Sequence, residues 1–291
     1  MSLYTMKELL QDAYAKQYAI PAFNFDNFDL LMGVFEGATE AQSPLILQIT
    51  QPAIEFFGIE NVVDIVRNEA AIRKLPTALH LDHADNLEII ESAIKTGFTS
   101  VMIDYSEKDF ADNARMTQKV VELARPFNVT VEAEIGQVGV TADPLSCSSI
   151  STDMMTDPQA AITFKEATDV DVLAVSIGTI HGMKVKEMQL DIERLQEINA
   201  KLGIPLVLHG SSGAREADLK KVINYGITKT NVETELRVTF RNTLEKMLAE
   251  NPNEIKPRNI MKHVREAIKQ KVIQRQTLLK SAGRIAMSVK S

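Results

Sequence analysis

The chain has 291 residues, 45% of them hydrophobic and 24% charged, a balance that excludes a fibrous or disordered protein. Its net charge of -7 and pI near 5.4 argue against nucleic acid as a main partner, because binding a phosphate backbone needs clustered lysine and arginine. No apolar run approaches the ~20 residues that span a bilayer, and a lone cysteine, Cys147, cannot form an internal disulfide. The opening MSLYTMKELL lacks the basic-then-apolar layout of a signal peptide, so a cytoplasmic location is expected, with neither membrane nor nucleic acid as partner.

Taken in chain order, eight short β-rich runs alternate with longer segments of helical periodicity. The runs are YAIPAFN ending at Asn24, PLILQIT ending at Thr50, TALHLDH ending at His83 and FTSVMID ending at Asp104. They continue with VTVEAEI ending at Ile135, DVLAVSI ending at Ile177, PLVLHG ending at Gly210 and GITKTNV ending at Val232. Most are continuously apolar, as strands buried on both faces should be. Between them the periodicity predicts helices over Asn27–Ala41, Asn61–Ile72, Asn86–Lys95, Phe110–Leu123, Asp191–Leu202 and Glu216–Asn224, several opening on Asn or Asp as an N-cap.

Eight such units close a (β/α)8 TIM barrel, whereas a doubly wound open sheet carries fewer strands and a glycine-rich first turn, and none follows Asn24. A barrel of about 250 residues commonly forms one unit, so 1–291 is expected to be one domain. It includes a C-terminal helical extension over 235–291, with one helix through Met247 and another from Pro257 to Lys280. That extension either caps the barrel or forms a contact between subunits.

Nearly every predicted strand ends in a residue capable of chemistry: Asn24, Thr50, Asp82 with His83, Asp104, Glu132 with Glu134, His209 and Asn231, with His181 just beyond the sixth. In a closed α/β barrel that edge is where active sites form. Of five histidines, His83, His181 and His209 follow the third, sixth and seventh strands, and three converging imidazoles suit a catalytic zinc site with an open position. His80 and His263 read as structural. Asp82, adjacent to His83, would stand beside an oxygen held by that metal, where a general acid/base is useful. Asp104 and Glu134 could orient ligands or offer another metal position. The segments HGSSG at 209–213 and TNVET at 230–234 each open onto a predicted helix, and amides at a helix N-terminus hold phosphate.

With those residues in view, the sequence resembles the class II, zinc-dependent ketose-bisphosphate aldolases, the group containing the fructose- and tagatose-bisphosphate enzymes. The resemblance spans essentially the whole chain. IPAFN at 20–24, LHLDH at 79–83, TSVMID at 99–104, VEAEIG at 131–136, TDP at 156–158, LAVSIGTIHG at 173–182, PLVLHGSSG at 205–213 and KTNVETEL at 229–236 carry it. It implies one zinc per chain on His83, His181 and His209, with a monovalent cation as a further candidate. Asp82 would be the acid/base, and Asp104 and Glu134 the carboxylates of an alternative metal position. Substrate and phosphate contacts are implied at Asn24, Thr50, Gly182, Gly210, Ser211, Ser212, Asn231, Glu233 and Thr234. Arg258, in KPR where relatives often read DPR, would reach the second phosphate from a neighbouring subunit, which implies a homodimer or homotetramer.

The departures from the family cluster at the substrate face. Where relatives carry a Glu-Asp pair after the fifth strand, this chain reads VTAD, with Ala142 at the Glu position and Asp143 as the substitute proton carrier. Glu233 replaces Asp, Asn or Ala, Ser211-Ser212 stands where many relatives read Gly-Gly-Ser, MKVK follows the His181 turn, and Thr50-Gln51-Pro52 replaces a Ser-rich segment. The implied activity is reversible cleavage of a phosphorylated ketose to dihydroxyacetone phosphate and an aldehyde. Its substrate would be fructose or tagatose 1,6-bisphosphate, or a ketose 1-phosphate with another anionic terminus. The alternatives are a zinc-binding relative with a regulatory role, a metal-dependent hydrolase, and a Schiff-base enzyme using Lys229.

Overall fold

The computed structural model describes residues 3–140, 151–182 and 188–285. Met6–Lys16 (α1) precedes the barrel. Then follow Ile20–Asn24 (β1), Phe28–Glu40 (α2), Leu45–Thr50 (β2), Gln51–Phe57 (α3), Ile59–Arg73 (α4), Thr77–Ala84 (β3), Leu87–Thr96 (α5), Ser100–Ile103 (β4), Phe110–Ala124 (α6) and Thr130–Ile135 (β5). The chain continues through Gly139–Val140 (β6), Pro158–Thr168 (α7), Val172–Val175 (β7), Ile180–His181 (β8), Ile192–Leu202 (α8), Leu206–Leu208 (β9), Glu216–Val222 (α9), Ile227–Val232 (β10), Thr234–Glu250 (α10) and Pro257–Leu278 (α11).

Eight strands close a parallel barrel in the order β1-β10-β9-β7-β5-β4-β3-β2. These are the eight runs read from the sequence. Their near-continuous burial explains why apolar and polar residues fail to alternate along them: one face meets the helices, the other the barrel interior. β6 and β8 form a separate two-stranded parallel ribbon beyond the barrel's C-terminal edge, pairing Val140 with His181. The sequence offers no hint of it, because two residues are too few to show a period.

Three helices, α1, α3 and α7, fall outside the predicted segments. Thr5 and Glu8 form a capping box at the start of α1: the Glu8 amide donates to Thr5 Oγ1, and the Thr5 amide donates to Glu8 Oε2. Met6, Leu9, Leu10 and Ala13 of this helix join Ile20, Ala22, Ile46, Ala78, Val172 and Val207 in a second core cluster, so α1 seals the N-terminal end of the barrel. The open end is therefore the C-terminal one.

The extension packs onto the barrel. A Cβ on Gly33 would lie 2.9 Å from Ile268, and one on Gly37 would lie 2.7 Å from Val272, so both glycines let α2 and α11 approach closely. The buried Arg275 of α11 pairs with Glu235 of α10 at its Nε, 2.7 Å away.

Candidate active site

The open end holds a cavity of about 810 Å³. Asn24, Thr50, Asp82, His83, Asp104, Glu134, His181, Gly182, Gly210, Ser212, Asn231, Glu233 and Thr234 line it, so thirteen of the residues singled out from the sequence meet in one place. His209 is fully buried behind that wall, and Ser211 turns its hydroxyl inward to donate to the Asn231 carbonyl at 2.7 Å. Arg258, exposed at the start of α11, is not among the lining residues. Ala142, Asp143, Cys147 and the MKVK segment lie outside the described residues.

His83 occupies an unusual backbone position. Its φ of 49° lies in the left-handed region that non-glycine residues rarely adopt, at the point where the pairing of β3 with β4 shifts register between Leu81 and Ala84. The irregularity lets consecutive residues, Asp82 and His83, both line the cavity from a strand that would otherwise send them to opposite faces. Outliers of this kind cluster at functional sites.

Two carboxylates fix the rings. His83 Nδ1 lies 2.6 Å from Asp104 Oδ2, and His209 Nε2 lies 2.8 Å from Glu132 Oε1. Because a carboxylate only accepts, each of these nitrogens carries the hydrogen. The remaining nitrogens, His83 Nε2 and His209 Nδ1, face each other 2.9 Å apart. Two neutral rings so held aim lone pairs at one point, and only a proton or a metal cation between them relieves that. Nitrogens of His83, His181 and His209 lie within 4.8 Å of one another, and His83, Asp104 and Glu134 form a second such group. Glu134 Oε2 is buried without a hydrogen-bond partner, 3.6 Å from His209 Nδ1. Three imidazoles with an orphaned carboxylate oxygen nearby make a donor set that fits zinc.

The titration behaviour follows from the same packing. Burial opposes charge on His83, yet Asp82, Asp104 and Glu134 outweigh it and push the imidazole up to about 10. Burial and then the charge on His83 bring His181 down to about 4, and burial followed by His83 and Lys229 lowers His209. Burial and Asp104 lift Glu134 to about 8. Asp82 is held below the usual carboxylate range, since His83, Lys229 and His209 outweigh its burial.

Asp82 is firmly placed. Asn24 Nδ2 donates to its Oδ2 at 2.9 Å, Gln48 Nε2 to the same oxygen at 3.2 Å, and Asn231 Nδ2 to its Oδ1 at 3.2 Å. An ionised carboxylate held by three amide donors is fixed in position and stays available as a base.

At the side of the cavity formed by β8, β9 and β10, Gly182 and Gly210 have φ of 81° and 61°. A Cβ on Gly210 would stand 3.0 Å from the Ile180 backbone, so that turn requires glycine. Thr234 begins α10, and the residue before it, Glu233, makes no side-chain cap there. Opposite stands the loop after β4, where Tyr105, Ser106, Glu107 and Lys108 line the cavity together with Asp85, Gln137, Val138, Gly139 and Met154. None of these nine stands out in the sequence: they lie mostly on loops, where no strand periodicity marks which side chains turn inward.

Comparison with known proteins decides the lineage. The chain matches the family described as fructose-bisphosphate aldolase class-II over residues 4–284. It belongs to that family. Among solved structures, it resembles the YdjI aldolase from Escherichia coli K12 with 32% identity and a TM-score of 0.82, covering 97% of this chain and 99% of that one. A putative fructose-1,6-bisphosphate aldolase from Coccidioides immitis matches with 27% identity and a TM-score of 0.82, covering 95% and 96%. The fructose-bisphosphate aldolase from Campylobacter jejuni shares the fold at 20% identity, with a TM-score of 0.83 and 97% and 96% coverage. This aldolase family is zinc-dependent in general and acts on small phosphorylated sugars. Among the described residues, no helix is long and apolar enough to cross a membrane.

Proposed function

We propose that this class II aldolase holds zinc on His83, His181 and His209 and reversibly cleaves a phosphorylated ketose to dihydroxyacetone phosphate and an aldehyde. The observation that carries the reading is the convergence of three imidazole nitrogens beside a fixed, ionised Asp82 at one cavity wall. Zinc bound there supplies a Lewis acid that stabilises the negative charge developing on the ketone oxygen.

The chain's own groups do the rest. Asp82 accepts the proton of the hydroxyl whose carbon becomes the aldehyde, and returns it in the condensation direction. Its three amide donors keep the carboxylate from swinging toward the imidazoles as that proton moves. Gly182, Gly210, Ser212 and Thr234 at the start of α10 hold the phosphate of the triose half with backbone amides and hydroxyls. Asp143 is the candidate carrier for the second proton, and Arg258 of a neighbouring copy is the candidate anchor for an anionic far end. Fructose and tagatose 1,6-bisphosphate are the nearest substrates, and a ketose 1-phosphate with another anionic terminus fits the same scheme.

Zinc content and dihydroxyacetone phosphate release are the decisive measurements, with and without chelator, on a panel of ketose mono- and bisphosphates. About one zinc per chain and chelator-sensitive release from at least one member are expected. Full release in the metal-stripped protein would overturn the reading.

A further inference from the structure

Among the described residues, Lys229 is the one lysine in the interior of the barrel. It is fully buried in β10, yet the proposed chemistry does not use it. A Schiff-base role needs a free amine that reaches the substrate. Lys229 does not line the cavity, and its ammonium lies 3.0 and 3.2 Å from the two oxygens of Glu132 and 2.8 Å from Asn231 Oδ1. An amine so engaged is no nucleophile.

Its contacts lead in two directions. Glu132 Oε1 also accepts from His209 Nε2, while His80 stands on the far side of Glu132, its Nε2 3.6 Å from Oε2 and its Nδ1 held 2.8 Å from Ser100 Oγ. Asn231 donates from Nδ2 to Asp82 Oδ1. Five side chains therefore form one connected path: His209, Glu132, Lys229, Asn231, Asp82.

The hydrogen-bonding character of each group sets the direction of every link. An ammonium only donates, so Asn231 must turn its carbonyl oxygen to Lys229, which leaves its NH₂ facing Asp82. A carboxylate only accepts, so Glu132 keeps the hydrogen of His209 on Nε2 and leaves Nδ1 facing His83. Removing the ammonium would free the Asn231 amide to flip. It would also leave the Glu132 carboxylate buried between two imidazoles without its cation.

We propose that Lys229 is a positioning residue that ties the two halves of the site together, fixing His209 through Glu132 and Asp82 through Asn231. The proposal rests on the assignment of His209 as a metal ligand and Asp82 as the proton carrier.

The test is Lys229→Met, which keeps the length of the side chain and removes its charge. Three readouts are compared with the wild type: zinc affinity by chelator competition, the 15N signals of the histidine rings in the metal-free protein, and kcat and KM for the best substrate. Zinc affinity should fall about 10- to 100-fold, as for other residues that orient a ligand. The His209 ring should lose its single Nε2–H form, and kcat should fall more than KM rises. Should Lys229→Met fail to fold, the double variant Lys229→Met with Glu132→Gln removes both buried charges. The amide carbonyl introduced by Glu132→Gln can still accept from His209, so zinc affinity should lie near the wild-type value while kcat falls below it, because Asn231 remains unanchored. Wild-type zinc affinity and kcat in whichever variant folds would overturn the role of Lys229. The wild type serves as the separate check: absence of zinc or of triose phosphate release there would refute the underlying aldolase reading instead.

Discussion

The floor and the rim of the cavity are built differently. On the floor, Asp82, His83, Asp104, Glu134, His209 and Asn231 come from strands or the first residue after them, and bonds join His83 to Asp104 and His209, and Asp82 to Asn231. At the rim, Asp85, Glu107, Lys108 and Glu233 sit in loops or at a helix start, and their anchors are looser. Glu233, for example, pairs with Arg237 at 2.9 Å, and Arg237 in turn with Asp26 at 2.8 Å, all partly open to solvent. These floor residues match the motifs that carry the family resemblance, whereas Glu233 at the rim is one of the departures from it. A connected, buried network cannot change one member without unpairing another, but an exposed loop residue changes at small cost. This contrast predicts retained chemistry with altered substrate choice.

The largest expected effect lies at the bottom of the floor. His209→Ala should abolish zinc retention and, with it, turnover, because it removes a proposed ligand nitrogen and the hydrogen that Nε2 donates to the buried Glu132. Metal analysis of the purified variant checks it, and an unchanged zinc content would remove His209 from the ligand set. Asp82→Ala comes next. It leaves the imidazoles in place, so zinc should stay, while kcat drops by about 10² to 10⁴, the usual cost of losing a general acid/base. Wild-type turnover in that variant would take the proton-transfer role away from Asp82.

How much of this can be read from the sequence follows the same division. Strand ends are legible because a parallel barrel gathers them at one edge, so His83, Asp104, Glu134, His209 and Asn231 can be grouped before any coordinates. The partners inside the barrel are less legible. Lys229 and Glu132 are 97 residues apart, and that they meet depends on which side chains face each other across the barrel, something no local pattern encodes. Hence Lys229 reads in sequence as a spare amine and in structure as half of an ion pair. Loop residues such as Tyr105 and Lys108 escape for another reason: β4 ends at Ile103, and beyond it no period marks an inward face. α1 is hard to read because its capping box begins so near the start of the chain, before any strand that it could be seen to cover.

The smallest expected effect is at the rim, and it is the sharpest test of the division. Burial raises the pKa of Glu233 and Arg237 opposes that rise, so the carboxylate stands at the edge of the cavity with its charge partly satisfied. Glu233→Gln keeps the shape and an acceptor oxygen but removes the charge. A partly exposed ion pair is worth up to about 1 kcal/mol, so KM should change by no more than about fivefold, in a direction that differs between substrates, with kcat and zinc content held. Steady-state kinetics on two ketose phosphates of different terminus would measure this. If kcat fell instead by the factor expected for Asp82→Ala, Glu233 would be acting on the reacting atoms. The boundary between floor and rim would then have to move outward to include the first residue of the β10–α10 junction, and the replacement of the family's shorter residue there would become a change in mechanism rather than in substrate choice.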